Sequence, residues 1–277
     1  VSLRQRVPGI VWLALLVGGF AAMNAWDVPA YGLLAIGTLA VVVFISHRTA
    51  LGLRVIGKFL LIGTGFLALA YLLFLPFHQN YESVFDGVFM SRWRTVAWHY
   101  MGIHGLLFFL TGSWLVVEAR KHLVGPERAL RMPPLAELRR PSWGNRWLTV
   151  GLVVAAVVLF VAVWSSMPAL HQWTTVLVLT FVMLATLALA AWWIMRPSLV
   201  EMPVFLLLLG MLVLAFGIGI GVDFITAEHD IDRMNTVFKF YLNAWVLYSV
   251  VGGVGLWQLW ATGALRWRGL GWQRYAK

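Results

Sequence analysis

Apolar residues run through the chain in long blocks, and the charged positions fall between the blocks rather than alternating with them. Eight stretches carry no Asp, Glu, Lys or Arg: Val7–Trp26, Val28–Ser46, Phe59–Phe77, Thr95–Val117, Trp147–Leu170, Gln172–Met195, Met202–Val222 and Phe240–Leu265. About 20 apolar residues carry a helix across the hydrocarbon core of a bilayer, and each stretch is long enough. The strands of a membrane barrel would alternate apolar and polar residues. These stretches are apolar on every side, and in lipid a helix satisfies its own backbone groups. The pattern predicts an all-α integral membrane protein, a polytopic bundle of eight transmembrane helices. Front helices occupy about 7–117 and back helices about 147–265. Between them lies a linker, 118–146, punctuated by Gly125-Pro126, Pro133-Pro134 and Pro141. The loops leave no room for a separate soluble domain.

Only 12% of the residues are charged, about half the roughly 25% of a soluble domain. The net charge of +10 suggests a nucleic-acid partner only until the charges are placed. With the N-terminus inside and eight alternating spans, all but four of the 21 cations fall on the cytoplasmic side. The exceptions are Arg92, Arg94, Arg233 and Lys239. This asymmetry obeys the positive-inside rule, places both termini in the cytoplasm and makes the basic excess a contact with anionic lipid headgroups. No nucleic-acid partner is expected, and the location is the cell (cytoplasmic) membrane. The acids divide oppositely: Asp27, Glu82, Asp86, Asp223, Glu228, Asp230 and Asp232 lie outside, so the chemistry is expected on that face. Cysteine is absent, which excludes disulfides and thiolate metal sites. No HExxH-type spacing, nucleotide loop or nucleophile elbow occurs, so neither a metal nor a cofactor is expected. Gly217-Ile-Gly219-Ile-Gly221 reads as a close-packing pattern between helices.

The richest polar segment is Glu228-His-Asp230-Ile-Asp232-Arg233-Met-Asn235-Thr-Val-Phe-Lys239-Phe-Tyr241-Leu-Asn243. Asp232, Asn235, Thr236, Lys239 and Asn243 recur at helical spacing and share one face. Against lipid such a stripe is costly, so it should face the bundle interior or a wet cavity. A solvated loop with a snorkelling Lys239 explains the lysine but not Asn243. Asn24 and Asp27 share a face at the exit of the first helix. Capping explains them equally well, with Asp27 as N-cap and Pro29 just inside the second helix. His78, Asn80 and Tyr81 follow Pro76, and His104 lies near the outer end of the fourth span. A histidine in an apolar span is more often a hydrogen-bonded packing residue than a ligand.

Arg233-Met-Asn-Thr-Val-Phe-Lys-Phe-Tyr241, with Asn243-Ala-Trp245, resembles the signature of the YYY membrane protein family, a bacterial and archaeal multi-pass family. Asn24-Ala-Trp-Asp-Val-Pro-Ala-Tyr31 is similar to that family's Asn-Thr-Trp-Asp-x-Pro-x-Tyr segment, and Leu75-Pro-Phe-His78 and His104 match supporting positions. Full-length members are similar to polytopic glycosyltransferases that use lipid phosphosugars. The match covers the later part of the family pattern. The resemblance therefore implies a fragment lacking an N-terminal part, with the missing half or a second subunit as partner.

It also implies a glycosyltransferase-like protein that takes a sugar from a polyprenyl-phosphate donor at the outer face. Such a reaction needs a carboxylate to accept the proton of the acceptor hydroxyl, and cations to hold the departing phosphate. Asp27, Asp230 and Asp232 are the candidate bases. Arg233 and Lys239 are the candidate phosphate holders, and Asn24, Trp26, Tyr31, His78, Asn80, Tyr81, His104, Asn235, Tyr241 and Asn243 the further substrate contacts. Asp230 and Asp232 are expected to balance Arg233 if its role is only structural. The alternatives are a lipid or solute transporter or flippase, and a non-catalytic assembly subunit. A transporter predicts charges near mid-membrane and paired broken helices, whereas the charges here gather at one face.

Overall fold

The computed structural model describes residues 3–46, 52–82, 87–124, 171–194 and 202–261. Long helices dominate: α1 (Leu3–Met23), α2 (Asp27–Ser46), α3 (Leu53–Leu73), α5 (Ala97–Val124), α6 (Thr174–Ile194), α7 (Met202–Phe224) and α8 (Met234–Ala261). The short helix α4 (Leu75–Asn80) and the strands β1 (Val88–Met90) and β2 (Ile225–Ala227) complete the described elements. Among the described residues, five helices are long and apolar enough to cross a membrane: Leu53–Leu73, Ala97–Ala119, Thr174–Ile194, Pro203–Phe224 and Met234–Ala261. The apolar stretches Val7–Met23 and Asp27–Val43 are shorter, and the expected span Trp147–Leu170 lies outside the described residues.

Three boundaries move for identifiable reasons. The third helix begins at Leu53, including the exposed Arg54 and Lys58, because cations are tolerated where a helix end meets water. It ends at Leu73 rather than Phe77. Phe74 turns the chain, its N–H donating to Tyr71 O at 3.1 Å, and α4 restarts with Pro76 in its first turn, where a missing N–H costs nothing. The eighth helix begins at Met234, six residues before the charge-free stretch, so Asn235, Thr236, Lys239 and Asn243 of the polar stripe are helical, while Asp232 lies in the turn before it and off their shared face.

The described residues gather into two units. The first comprises Val1–Arg94 and Thr175–Tyr248, and the second Thr95–Thr174 and Ser249–Lys277. In the first, α1 packs on α2 and α3, and α2 on α7. Ala14, Val17, Ala35, Phe66 and Ala70 form a small-residue core among α1, α2 and α3. Gly18 permits the closest approach, since a Cβ there would collide with the Ala70 carbonyl and the Phe74 ring. The strands pair antiparallel in the register Val88↔Ala227, Phe89↔Thr226 and Met90↔Ile225. Ser91 N–H donates to Phe224 O at 2.8 Å and Glu228 N–H to Gly87 O at 2.9 Å, extending the ribbon at both ends. In the second unit, Trp114 Nε1 donates to Gln258 Oε1 at 2.6 Å. Gly255 beside the Trp114 ring admits no side chain without a shift.

Candidate functional site

The site grows from a buried carboxylate. Asp223 closes the apolar run of α7 and has no exposed surface. A charge so placed needs a partner, and Arg233 supplies it, Nη1 to Asp223 Oδ1 at 2.6 Å. The same nitrogen donates to Val222 O at 2.8 Å. Arg94 approaches from the other side, its Nη1 donating to Asp223 O at 2.6 Å and to Ser91 O at 2.9 Å, with the guanidinium over the Phe224 ring. Two arginines thus tie β1, the end of α7 and the start of α8 together. The acid that balances Arg233 is Asp223, ten residues back in sequence, not the adjacent Asp230 or Asp232.

Between β2 and α8 the chain takes three left-handed residues: His229 (φ 59°), Asp232 (φ 48°) and Arg233 (φ 61°). Such non-glycine conformations each cost on the order of 1–3 kcal/mol and persist only where the surroundings impose them. Here the turn delivers Asp230 to the end of α8. Its Oδ1 accepts from Asn235 N–H at 2.9 Å, and its Oδ2 from Thr236 N–H and Thr236 Oγ1, both at 2.7 Å. Asp230 is therefore the N-cap that starts α8. Burial alone would raise its pKa, but the hydrogen bonds from Thr236 and Asn235 outweigh that and hold the carboxyl below its ordinary value.

From this start α8 presents Lys239 and Asn243, one turn apart, on one face. Asn243 is buried, and its Nδ2 donates to Asp27 Oδ1 at 3.0 Å and to Lys239 O at 3.3 Å. Asp27 opens α2, and the preceding turn is closed by its N–H on Asn24 O at 2.9 Å. Trp26 meets Phe240 edge to face at 5.7 Å. The two polar segments singled out in the sequence thus converge although they lie 216 positions apart.

Beside this cluster opens a cavity of about 1470 Å³ within the first unit. Asn24, Trp26, Tyr81, Thr236, Lys239 and Phe240 line its polar end, and apolar residues of α2 and α7 line the remainder. Gly217 and Gly221 face this cavity, and an added Cβ meets nothing within 4 Å. These two leave space open rather than drawing two helices together, which corrects the close-packing expectation at Gly217 and Gly221; Gly219 between them is buried.

The other candidates lie elsewhere. His78 stacks on Tyr71 at 4.3 Å, and the Asn80 amide donates to Pro76 O at 2.7 Å, so both secure α4. Tyr81, at the polar end of the cavity, stacks on Phe77, and Tyr31 stacks on Phe20, each at 4.8 Å. Asn235 and Asp232 are exposed and Tyr241 is buried. His104 belongs to the second unit, buried beside Tyr100 at 4.7 Å. Among the described residues, no three His, Asp or Glu side chains gather as metal ligands. Sequence reasoning missed Asp223 and Arg94. Their only signal was an acid ending an apolar run and a cation on the side where cations are rare.

Two predictions follow from these contacts. Removing one member of a buried ion pair strands the other, at about 3–5 kcal/mol. Arg233→Gln and Asp223→Asn should therefore each lower the thermal unfolding temperature of the detergent-solubilised protein strongly, and the double variant by less than the sum. A loss below about 1 kcal/mol would be that of an exposed pair. For Asp230, a depressed pKa contributes stability that is complete above the ordinary carboxylate value of 3.8 and is lost as pH falls through the lower folded value. Asp230→Asn keeps a capping oxygen, so it should cost under about 1 kcal/mol at neutral pH. Melting curves taken against pH should show a flatter acid limb in this variant, and an unchanged limb would remove the capping carboxylate from the account.

A family model described as "Uncharacterized membrane protein (DUF2298)" matches residues 2–248. No curated protein and no solved structure gives a significant match. With nearly its whole length matched, the chain belongs to the DUF2298 family of uncharacterized membrane proteins.

Proposed function

We propose that this chain is a membrane glycosyltransferase-like protein, or the C-terminal half of one. It acts at the outer membrane face on a polyprenyl-phosphate-linked sugar, as its resemblance to the YYY family implies. The observation that carries the reading is Lys239 at the polar end of an otherwise apolar cavity, with the hydrogen-bonded Asp27–Asn243 pair behind the lining, next to Trp26 and one turn from Lys239. A lipid phosphosugar has that division: an anionic head and a long hydrocarbon tail.

In the proposed reaction the acceptor hydroxyl oxygen attacks the anomeric carbon. The bond from that carbon to the phosphate oxygen breaks, its electron pair leaves with the phosphate, and the hydroxyl proton passes to Asp27. Lys239 offsets the charge that develops on the phosphate. Asp27 suits the role of base better than Asp230, whose oxygens are engaged in the cap and whose pKa is depressed. Asp232 is exposed in the turn. Arg233 is turned to Asp223, so it acts on the site by fixing where α8 begins, and the phosphate contact falls to Lys239.

Thermal unfolding with and without a polyprenyl phosphate tests this. A ligand at a hundredfold its Kd stabilises by about 2.7 kcal/mol. Wild type should shift upward, Lys239→Ala should lose most of that shift, and Asp27→Asn should keep the shift while failing to transfer sugar. No lipid-dependent shift in the wild type would sink the proposal.

A further inference from the structure

The same cavity has a second part that the chemistry at its polar end does not use. Along α2 its wall runs from Pro29 through Leu34 and Gly37 to Val42, and along α7 from Gly221 and Gly217 through Gly210 to Pro203. The thirteen steps from Pro29 to Val42 and the eighteen from Pro203 to Gly221, at about 1.5 Å each, are about 20 Å and 27 Å, a large fraction of the roughly 30 Å hydrocarbon core. Lys239 is the one charged side chain among the described lining residues. The hydroxyl of Thr38, part-way along, is satisfied within its own helix on Leu34 O at 2.7 Å. Past the mouth the wall therefore offers a ligand apolar contact and no polar partner.

The cross-section is set by glycine. Gly37, Gly210, Gly217 and Gly221 all line the cavity, and a Cβ at any of them meets nothing within 4 Å. Space at these positions is unfilled by neighbouring side chains, unlike at Gly18, where helices touch. Between the glycines stand Val213, Leu214 and Ile218, so the wall alternates bulk and recess. A chain bearing regular methyl branches fits such a profile better than a straight acyl chain. The single cation matches one phosphate, and one phosphate on one chain matches a single groove.

We infer that Gly37, Gly210, Gly217 and Gly221 form the tail site of the donor and select a long isoprenoid chain by the open cross-section they leave. This rests on the proposed lipid-phosphate site and adds the part of the ligand that is recognised and the residues that gauge it. A phospholipid, which also carries phosphate, would bring two straight chains to this single groove and should compete poorly.

The test uses the full chain in detergent, with farnesyl phosphate as the short probe and undecaprenyl phosphate as the long one. Buried hydrocarbon adds affinity, so the wild type should bind the long probe at least about tenfold more tightly. Gly217→Leu and Gly37→Leu should remove that advantage and leave farnesyl phosphate binding within about twofold, which also shows that the head site remains folded. Gly9→Leu, at a glycine with open space outside the cavity, should behave as wild type. If Gly217→Leu unfolds, Gly210→Leu and Gly37→Leu carry the same comparison. Equal binding of both probes by the wild type, unaltered long-chain binding in the leucine variants, or equal competition by phosphatidylglycerol overturns the tail site. Binding of neither probe overturns the lipid-phosphate reading itself, so the two failures are distinct.

Discussion

A carboxylate with no exposed surface is the constraint from which the polar end of this protein is organised. Asp223 lies buried at the end of α7, and the Arg233 guanidinium pairs with it at 2.6 Å. That contact draws the chain back through three left-handed residues before α8 begins, a conformation that His and Asp enter more readily than most residues but that the bulky Arg233 seldom adopts. Arg94 locks the same corner from the β1 side through the Asp223 carbonyl. Once the corner is fixed, Asp230 caps α8, and the helix starts in the rotation that sends Lys239 to the cavity and Asn243 to Asp27. Geometry at the site is thus inherited from an ion pair that is not itself at the cavity.

This separation clarifies what the cationic residues do. In a bilayer protein a cation held away from its favoured side invites a functional explanation, and both Arg233 and Lys239 qualified. They differ in what surrounds them. Arg233 has a buried acid within ion-pair distance, and its planar fork suits that fixed geometry. Lys239 lines the cavity on a flexible stem, the better arrangement for a ligand that comes and goes. In the proposed mechanism the lysine is therefore the phosphate contact, and the arginine is the strut.

Much of the helical architecture was legible in the charge-free stretches, because lipid tolerates few alternatives to an apolar helix. The stretch Met202–Val222 and the helix Met202–Phe224 differ by two residues. Where the rule failed, it failed at helix ends, since Lys58 and Lys239 are compatible with a helix yet interrupt an apolar window. The β1–β2 ribbon was not expected, as three-residue strands are too short to establish an alternation. The shared face of Lys239 and Asn243 was readable from spacing, and so was a polar character for Asn24 and Asp27. That they would meet followed only from placing both segments on one face of the membrane, because spacing reports faces within one helix and says nothing of which helices adjoin. The glycines of α7 show the same gap: Gly217 and Gly221 were visible as small residues, but whether small residues closed a contact or opened a cavity depended on the neighbours.

The central claim is that the cavity holds one lipid by its phosphate at Lys239 and its chain between α2 and α7. Native mass spectrometry of the protein, freed from its own membrane with minimal detergent, tests it most directly. The account predicts a single adduct with the mass of a polyprenyl-phosphate lipid, retained in Asp27→Asn and lost in Lys239→Glu. Phospholipid adducts alone, or a polyprenyl adduct that persists undiminished in Lys239→Glu, would contradict it.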